Sequence, residues 1–210
     1  MSPLIDALAP LPLLAILRGL PLADVPEVAE RLLAAGLRVL EVPLNRDGAE
    51  DTLRALVRHV GDRAWVGAGT VLRLEQVRAV TAAGGRFVVM PHADPQLIEA
   101  CRSAALPCMP GVATPSEAFA ALGAGADALK LFPAQSLPPV VVAAWQAVLP
   151  EDTWLIPVGG ITLESLAPYR AAGARGFGLG SPIYAPGMPL ADIESRARSF
   201  VQAWSQPTRN

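Results

Sequence analysis

The sequence predicts an α/β protein: one single-domain (β/α)8 (TIM) barrel over residues 1–210, with a short N-terminal helix at about 1–12 closing its floor. Three observations predict it. Eight short apolar runs alternate with helical stretches, with no break in composition along the chain. The units are evenly spaced at about 26 residues, which places 210 residues near the small end of the size range of this fold. No Gly-x-Gly-x-x-Gly follows the first run, as it would in the nearest competitor, a doubly wound open sheet.

The eight expected strands are 13–17, 38–42, 65–68, 86–90, 106–109, 127–131, 154–158 and 175–179. Helix starts between them are signalled by caps. Asp24-x-x-Glu27 and Thr114-Pro115-Ser116-Glu117 read as capping boxes, and Asp94-Pro95 puts proline at a first helical position. Gly36, Gly84, Gly125 and Gly173 read as helix stops. Val25, Val28, Ala29 and Leu32 share one helix face, as do Ile193, Ala197, Phe200, Val201 and Trp204. Pro43, Pro91, Pro110 and Pro133 fit abrupt strand exits.

Composition excludes several classes of function. The chain is 52% hydrophobic and 17% charged, so it is not disordered. A net charge of −2 with no basic stripe argues against nucleic-acid binding. Cys101 and Cys108 are too few for a disulfide framework and lack a second pair for zinc; no neighbouring base activates them, so they read as structural thiols. Neither a signal peptide nor a membrane span is expected, which predicts a soluble cytoplasmic protein with no membrane partner. Of seventeen basic residues, Lys130 is the only lysine. Where charge alone matters arginine suffices, but arginine cannot replace a lysine that must lose its proton.

In such a barrel the chemistry sits at the C-terminal ends of the strands. Those ends deliver Arg18-Gly19, Glu41 to Asn45, Gly67-Ala68-Gly69-Thr70, Pro91-His92, Pro110-Gly111, Lys130 to Pro133, Val158-Gly159-Gly160 and Gly178 to Ser181. Alternate strand residues face the axis, so Lys130 points inward with Ala128 and Phe132, and Glu41 with Val39. Such charges in an apolar mouth are costly unless they meet each other or a ligand. A buried Lys130–Glu41 ion pair is the plain structural alternative.

Desolvation would push Lys130 toward a neutral amine able to form a Schiff base with a ketone, and Glu41 is the candidate proton carrier. No metal or other cofactor is expected: His59 reads as solvated surface and His92 as a rim loop residue with no ligand cluster around either. The glycines after the seventh and eighth strands, with Ser181, fit a phosphate site built from backbone N–H groups.

From about Leu13 to Trp204 the chain resembles the 2-dehydro-3-deoxy-phosphogluconate/phosphogalactonate aldolase family, class I and pyruvate-forming. The motifs are Ala15-Ile16-Leu17-Arg18-Gly19, Glu41-Val42-Pro43-Leu44-Asn45, Gly67-Ala68-Gly69-Thr70-Val71, Ala128-Leu129-Lys130-Leu131-Phe132-Pro133, Val158-Gly159-Gly160-Ile161 and Gly178-Leu179-Gly180-Ser181. The resemblance implies Schiff-base chemistry at Lys130 with Glu41 moving protons, and Arg18 and Thr70 holding the pyruvate end. It further implies that Gly160, Gly180 and Ser181, with Gly159 beside them, hold a phosphate, that Pro91 and Phe132 shape the wall, and that the protein is a homotrimer. Asn45 and Val158 resemble the galactonate branch, which implies cleavage of a phosphorylated sugar acid to pyruvate and D-glyceraldehyde 3-phosphate. The alternatives are the gluconate-type or 4-hydroxy-2-oxoglutarate aldolase, or a non-aldolase phosphosugar-binding barrel.

Overall fold

The computed structural model describes residues 2–206, so Met1 of the expected N-terminal segment and residues 207–210 lie outside the described residues. The elements in order are α1 (Pro3–Leu8), β1 (Leu13–Ile16), α2 (Val25–Ala34), β2 (Val39–Pro43), α3 (Ala49–Val60) and β3 (Trp65–Gly69). Then come α4 (Leu74–Ala82), β4 (Val88–Val89), α5 (Pro95–Ser103), β5 (Cys108–Met109), β6 (Gly111–Val112) and α6 (Pro115–Ala124). The chain closes with β7 (Leu129–Leu131), α7 (Pro139–Gln146), β8 (Leu155–Pro157), α8 (Leu163–Ala171), β9 (Phe177–Leu179) and α9 (Leu190–Ser205).

Every expected strand overlaps an observed one, but the fifth is two segments, β5 and β6, separated by Pro110. A proline has no N–H to give a ladder, so the strand is interrupted there, while the Pro110 carbonyl still accepts from Lys130 N at 2.9 Å. All strand pairs are parallel, in a curled sheet: six strands run in the order β5-β4-β3-β2-β1-β9 and three in the order β6-β7-β8. Between these groups lie a parallel bridge from Val158 to Gly178 and a bond from Arg175 N to Leu155 O at 3.0 Å.

The apolar interior has two compartments, as parallel strands covered on both faces require. The larger lies between sheet and helices and takes Leu40, Leu129, Leu131 and the α2 stripe Val25, Val28, Ala29 and Leu32. The smaller lies inside the curl and takes Leu14, Ile16, Val39, Ala128, Ile156 and Val158. Leu4, Ile5 and Leu8 of α1 pack into this inner compartment, so the short first helix plugs one end of it.

Thr114 Oγ1 accepts from Glu117 N while the Glu117 carboxylate accepts from Thr114 N, the reciprocal capping box read from the sequence. Asp94 caps α5 by accepting from Gln96 N at 2.9 Å. The Asp24 box does not form. A 3-10 turn over Leu22–Asp24 runs straight into α2, so Asp24 is already helical (φ −87°, ψ −6°) and its carboxylate cannot fold back onto the first turn. The four stop glycines all have positive φ, between 80° and 104°. Among the described residues, no helix is long and apolar enough to cross a membrane.

Candidate active site

β2 and β3 build one wall of the site. Glu41 sits in register with Ile16 on β1 and Gly67 on β3, and its side chain turns inward, 1% exposed. Space for it comes from Gly69, two residues further along β3, where any Cβ would overlap the Glu41 carboxylate. One carboxylate oxygen, Oε2, is buried with no hydrogen-bond partner. A buried polar atom without a partner is costly, so packing alone does not account for a carboxylate here. Burial raises the Glu41 carboxyl above its ordinary range, against the opposing charges of Lys130 and Arg18.

β7 delivers Lys130, 4% exposed, in register with Gly111 on β6 and Ile156 on β8. Its Nζ lies 4.6 Å from the centre of the Phe132 ring. Burial lowers the ammonium below its ordinary range; Glu41 opposes the shift and Arg18 adds to it. None of the ion pairs among the described residues joins Lys130 to Glu41. The two groups therefore feel each other's charge without contact, and both are driven toward their neutral forms.

Beside Phe132 opens a cavity of about 380 Å³. Seven of the eleven residues singled out from the sequence line it: Arg18, Phe132, Val158, Gly159, Gly160, Gly180 and Ser181. Lys130 and Glu41 are not among its lining residues, although Lys130 Nζ lies beside the ring of Phe132, which is one of them. Thr70 and Pro91 do not line it. Thr70 continues from Gly69 with φ +53°, a left-handed conformation that costs a β-branched residue about 1–3 kcal/mol. Pro91 lies behind Gly111, whose Cβ position would come within 2.5 Å of the Pro91 backbone. A larger hollow of about 690 Å³, which shares Arg18 and Pro186 with this cavity, is lined also by Arg46, Asp47 and Asp51 and by no residue of the expected set besides Arg18.

One residue of the cavity and one beside its glycine turn escaped the sequence reading. Tyr184 lines the cavity, 4% exposed, with its phenol pushed up to about 12 by burial, Asp24 adding to the shift. The signal was its place three residues after Ser181 in a chain with only two tyrosines. Gln135 lies against Gly159 and Gly160, and no local pattern announces it. His59 pairs with Glu30 at 2.8 Å on the surface, and His92 is an exposed rim residue. Cys101 and Cys108 are both free and buried, the Cys108 thiol pushed up chiefly by its hydrogen bond with Cys101.

The chain is 40% identical over 196 residues to the 2-dehydro-3-deoxy-6-phosphogalactonate aldolase of Escherichia coli (strain K12), covering 93% of this chain and 96% of that protein. The solved structure described as native KDPGal superimposes with a TM-score of 0.90 at 40% identity, covering 92% of this chain and 94% of the other. A KDPG aldolase from Legionella pneumophila, solved with pyruvate captured at low pH as a covalent carbinolamine intermediate, superimposes with a TM-score of 0.80 at 30% identity over 90% of this chain and 94% of that one. Fold and site thus define a carbon–carbon lyase, an aldolase. More particularly, the chain belongs to the KDPG and KHG aldolase family, whose model matches residues 4–188.

Proposed function

We propose that this chain cleaves 2-dehydro-3-deoxy-6-phospho-D-galactonate to pyruvate and D-glyceraldehyde 3-phosphate by class I chemistry at Lys130. The observation that carries this is a lone buried lysine, held toward its neutral amine, near a buried carboxyl that it does not touch. The neutral Nζ adds to the C2 ketone, and loss of water gives an iminium. Glu41, with its pKa raised toward the working range, gives the proton that the departing hydroxyl needs. It then takes the C4 hydroxyl proton, directly or through water. The C3–C4 bond breaks, its electron pair passes into the iminium as an enamine, and the aldehyde leaves. Protonation at C3 and addition of water release pyruvate and restore the amine.

Arg18 and Thr70 hold the carboxylate end, while backbone N–H groups of Gly160 and Gly180 and the Ser181 hydroxyl hold the phosphate. Gly159 lets that turn form, and Pro91 and Phe132 shape the wall. The galacto preference is supported by Val158, whose Cγ atoms crowd Gly178 and line the cavity, so they offer a C4 hydroxyl no polar partner.

We further infer a single-domain, closed (β/α)8 barrel. It is supported by the pairing of β9 with β1, by the Val158–Gly178 bridge beside β8 and β9, and by the continuation of β5 into β6 across Pro110. We also infer that the protein works as a cytoplasmic homotrimer, the self-association being supported by exposed apolar side chains such as Val140 (73%) and Phe119 (50%). Light scattering on the purified chain tests the trimer.

The decisive experiment for the chemistry is borohydride reduction in the presence of pyruvate, followed by intact mass and peptide mapping. One three-carbon adduct at Lys130 is expected, and its absence overturns the Schiff-base reading.

A further inference from the structure

The Gly159–Gly160 turn has no side chains of its own to hold it. Its residues sit at φ +100° and +65°, and glycine has more backbone freedom to lose than any other residue. A backbone turn that binds phosphate has to be fixed before the ligand arrives, because freedom lost on binding subtracts from affinity.

What fixes it lies in the loop after β7. Ala134 N donates to Val158 O at 2.9 Å, just before the turn. The next side chain, Gln135, lies flat against the turn: a Cβ on Gly160 would come within 2.6 Å of its Cγ and 2.7 Å of its Cδ. With the carboxamide oriented to satisfy both neighbours, Nε2 donates to Gly159 O at 3.2 Å and Oε1 accepts from Gly160 N at 3.3 Å. The support is itself rigid. The buried Tyr169 hydroxyl shares its one proton between the carbonyls of Ala134 and Leu137, at 2.8 and 3.1 Å, on both sides of Gln135.

We propose that Gln135 is a positioning residue that clamps the Gly159–Gly160 turn and thereby sets the affinity for the phosphate end of the substrate. The inference rests on the phosphate-binding role given to this turn above. Two effects of Gln135 oppose each other. Its Oε1 occupies the Gly160 N–H, which phosphate must take from it, while its Nε2 hydrogen bond to Gly159 O and its packing against Gly160 remain and restrain the two glycines, which favours phosphate. When the side chain is removed water takes the N–H in its place, so the competition nearly cancels. The restraint has no such substitute, and it prevails.

The test compares Gln135→Ala and Gln135→Glu with the wild-type enzyme. In Gln135→Ala, Gly160 amide exchange in the free protein should be faster by about fivefold or more. The KM for the phosphorylated sugar acid and the inhibition constant for inorganic phosphate should both rise about fivefold to thirtyfold, with kcat changed much less. Gln135→Glu should show a larger KM increase at pH 8 that shrinks toward pH 5. The protonated acid can donate to Gly159 O and accept from Gly160 N, as the amide does, whereas the carboxylate repels both the carbonyl and the phosphate. Exchange and phosphate affinity equal to wild type in Gln135→Ala overturn the clamp, and tighter phosphate binding overturns it in favour of competition. A wild-type protein that neither traps pyruvate nor cleaves the substrate overturns the proposed reaction instead; exchange and phosphate binding still decide the clamp.

Discussion

The Glu41 carboxylate occupies the space that a side chain at residue 69 would fill, so the catalytic acid proposed on β2 and the glycine on β3 are one structural unit. The two lie on neighbouring parallel strands whose register places Glu41 opposite Gly67 and Pro43 opposite Gly69. Neither strand can retreat without breaking that ladder. Gly69→Ala should therefore displace Glu41, lowering kcat about a hundredfold or more by disabling the proton carrier, and destabilise the fold by about 1–3 kcal/mol through overpacking. Steady-state kinetics and thermal unfolding on the same preparation check both. A variant with wild-type kcat would show that Glu41 can work from another position.

Lys130→Arg keeps a cation in the mouth but holds it protonated at any working pH. Borohydride trapping with pyruvate should vanish and cleavage should fall to background, while far-ultraviolet circular dichroism stays that of the wild type. Intact mass after reduction is the direct measurement. Retained cleavage in this variant would remove Lys130 from the mechanism.

Glu41→Gln separates catalysis from stability. General acid–base catalysis is worth about 10²–10⁴-fold, so kcat should fall by that order with KM changed less. Stability should move the other way. The Glu41 carboxyl is raised above its ordinary 4.5 by burial, so its ionisation opposes folding as pH rises through the folded value. The stability present at low pH is therefore lost by the wild type at higher pH, and Gln, which cannot ionise, escapes that loss. The variant should match wild type below about pH 4.5 and exceed it above the folded pKa, read as Tm across pH.

Val158→Thr adds a hydroxyl in the cavity wall where the wild type offers methyl groups. A hydroxyl left without a partner costs about 1–3 kcal/mol, which is about tenfold to a hundredfold in kcat/KM. The ratio of the galacto to the gluco phosphosugar acid should fall in this variant, with exposed Asn45 as the second position to vary. Assay of the two C4 epimers side by side measures it. If wild type already prefers the gluco epimer, the galacto assignment is overturned and the aldolase chemistry stands.

The strand positions and the inward side chains were readable from sequence because both depend on a local period of two. Lys130 with Ala128 and Phe132, and Glu41 with Val39, needed only alternation, and the inner compartment holds Ala128, Val39 and, packed against them, Phe132. The helix stops were readable for the same reason, since a left-handed residue is a local demand that glycine meets most cheaply. The Asp24 box was misleading because the preceding turn, not the residue type, decides whether a carboxylate can reach back to a helix.

Contacts between residues distant in the chain were decided only by tertiary structure. The overlap of Glu41 with the space above Gly69, the absence of a Lys130–Glu41 ion pair, the burial of Tyr184 at the cavity and the carboxamide of Gln135 against Gly159 and Gly160 all belong to this group. So does Pro110, which reads as a strand exit but interrupts a strand whose pairing continues to Val112. Periodicity and motifs name the candidate residues for the chemistry, because each strand presents them by its own geometry. Whether two such groups touch, and which neighbour makes room for them, depends on strand register and loop packing, and these are set by the whole sheet at once.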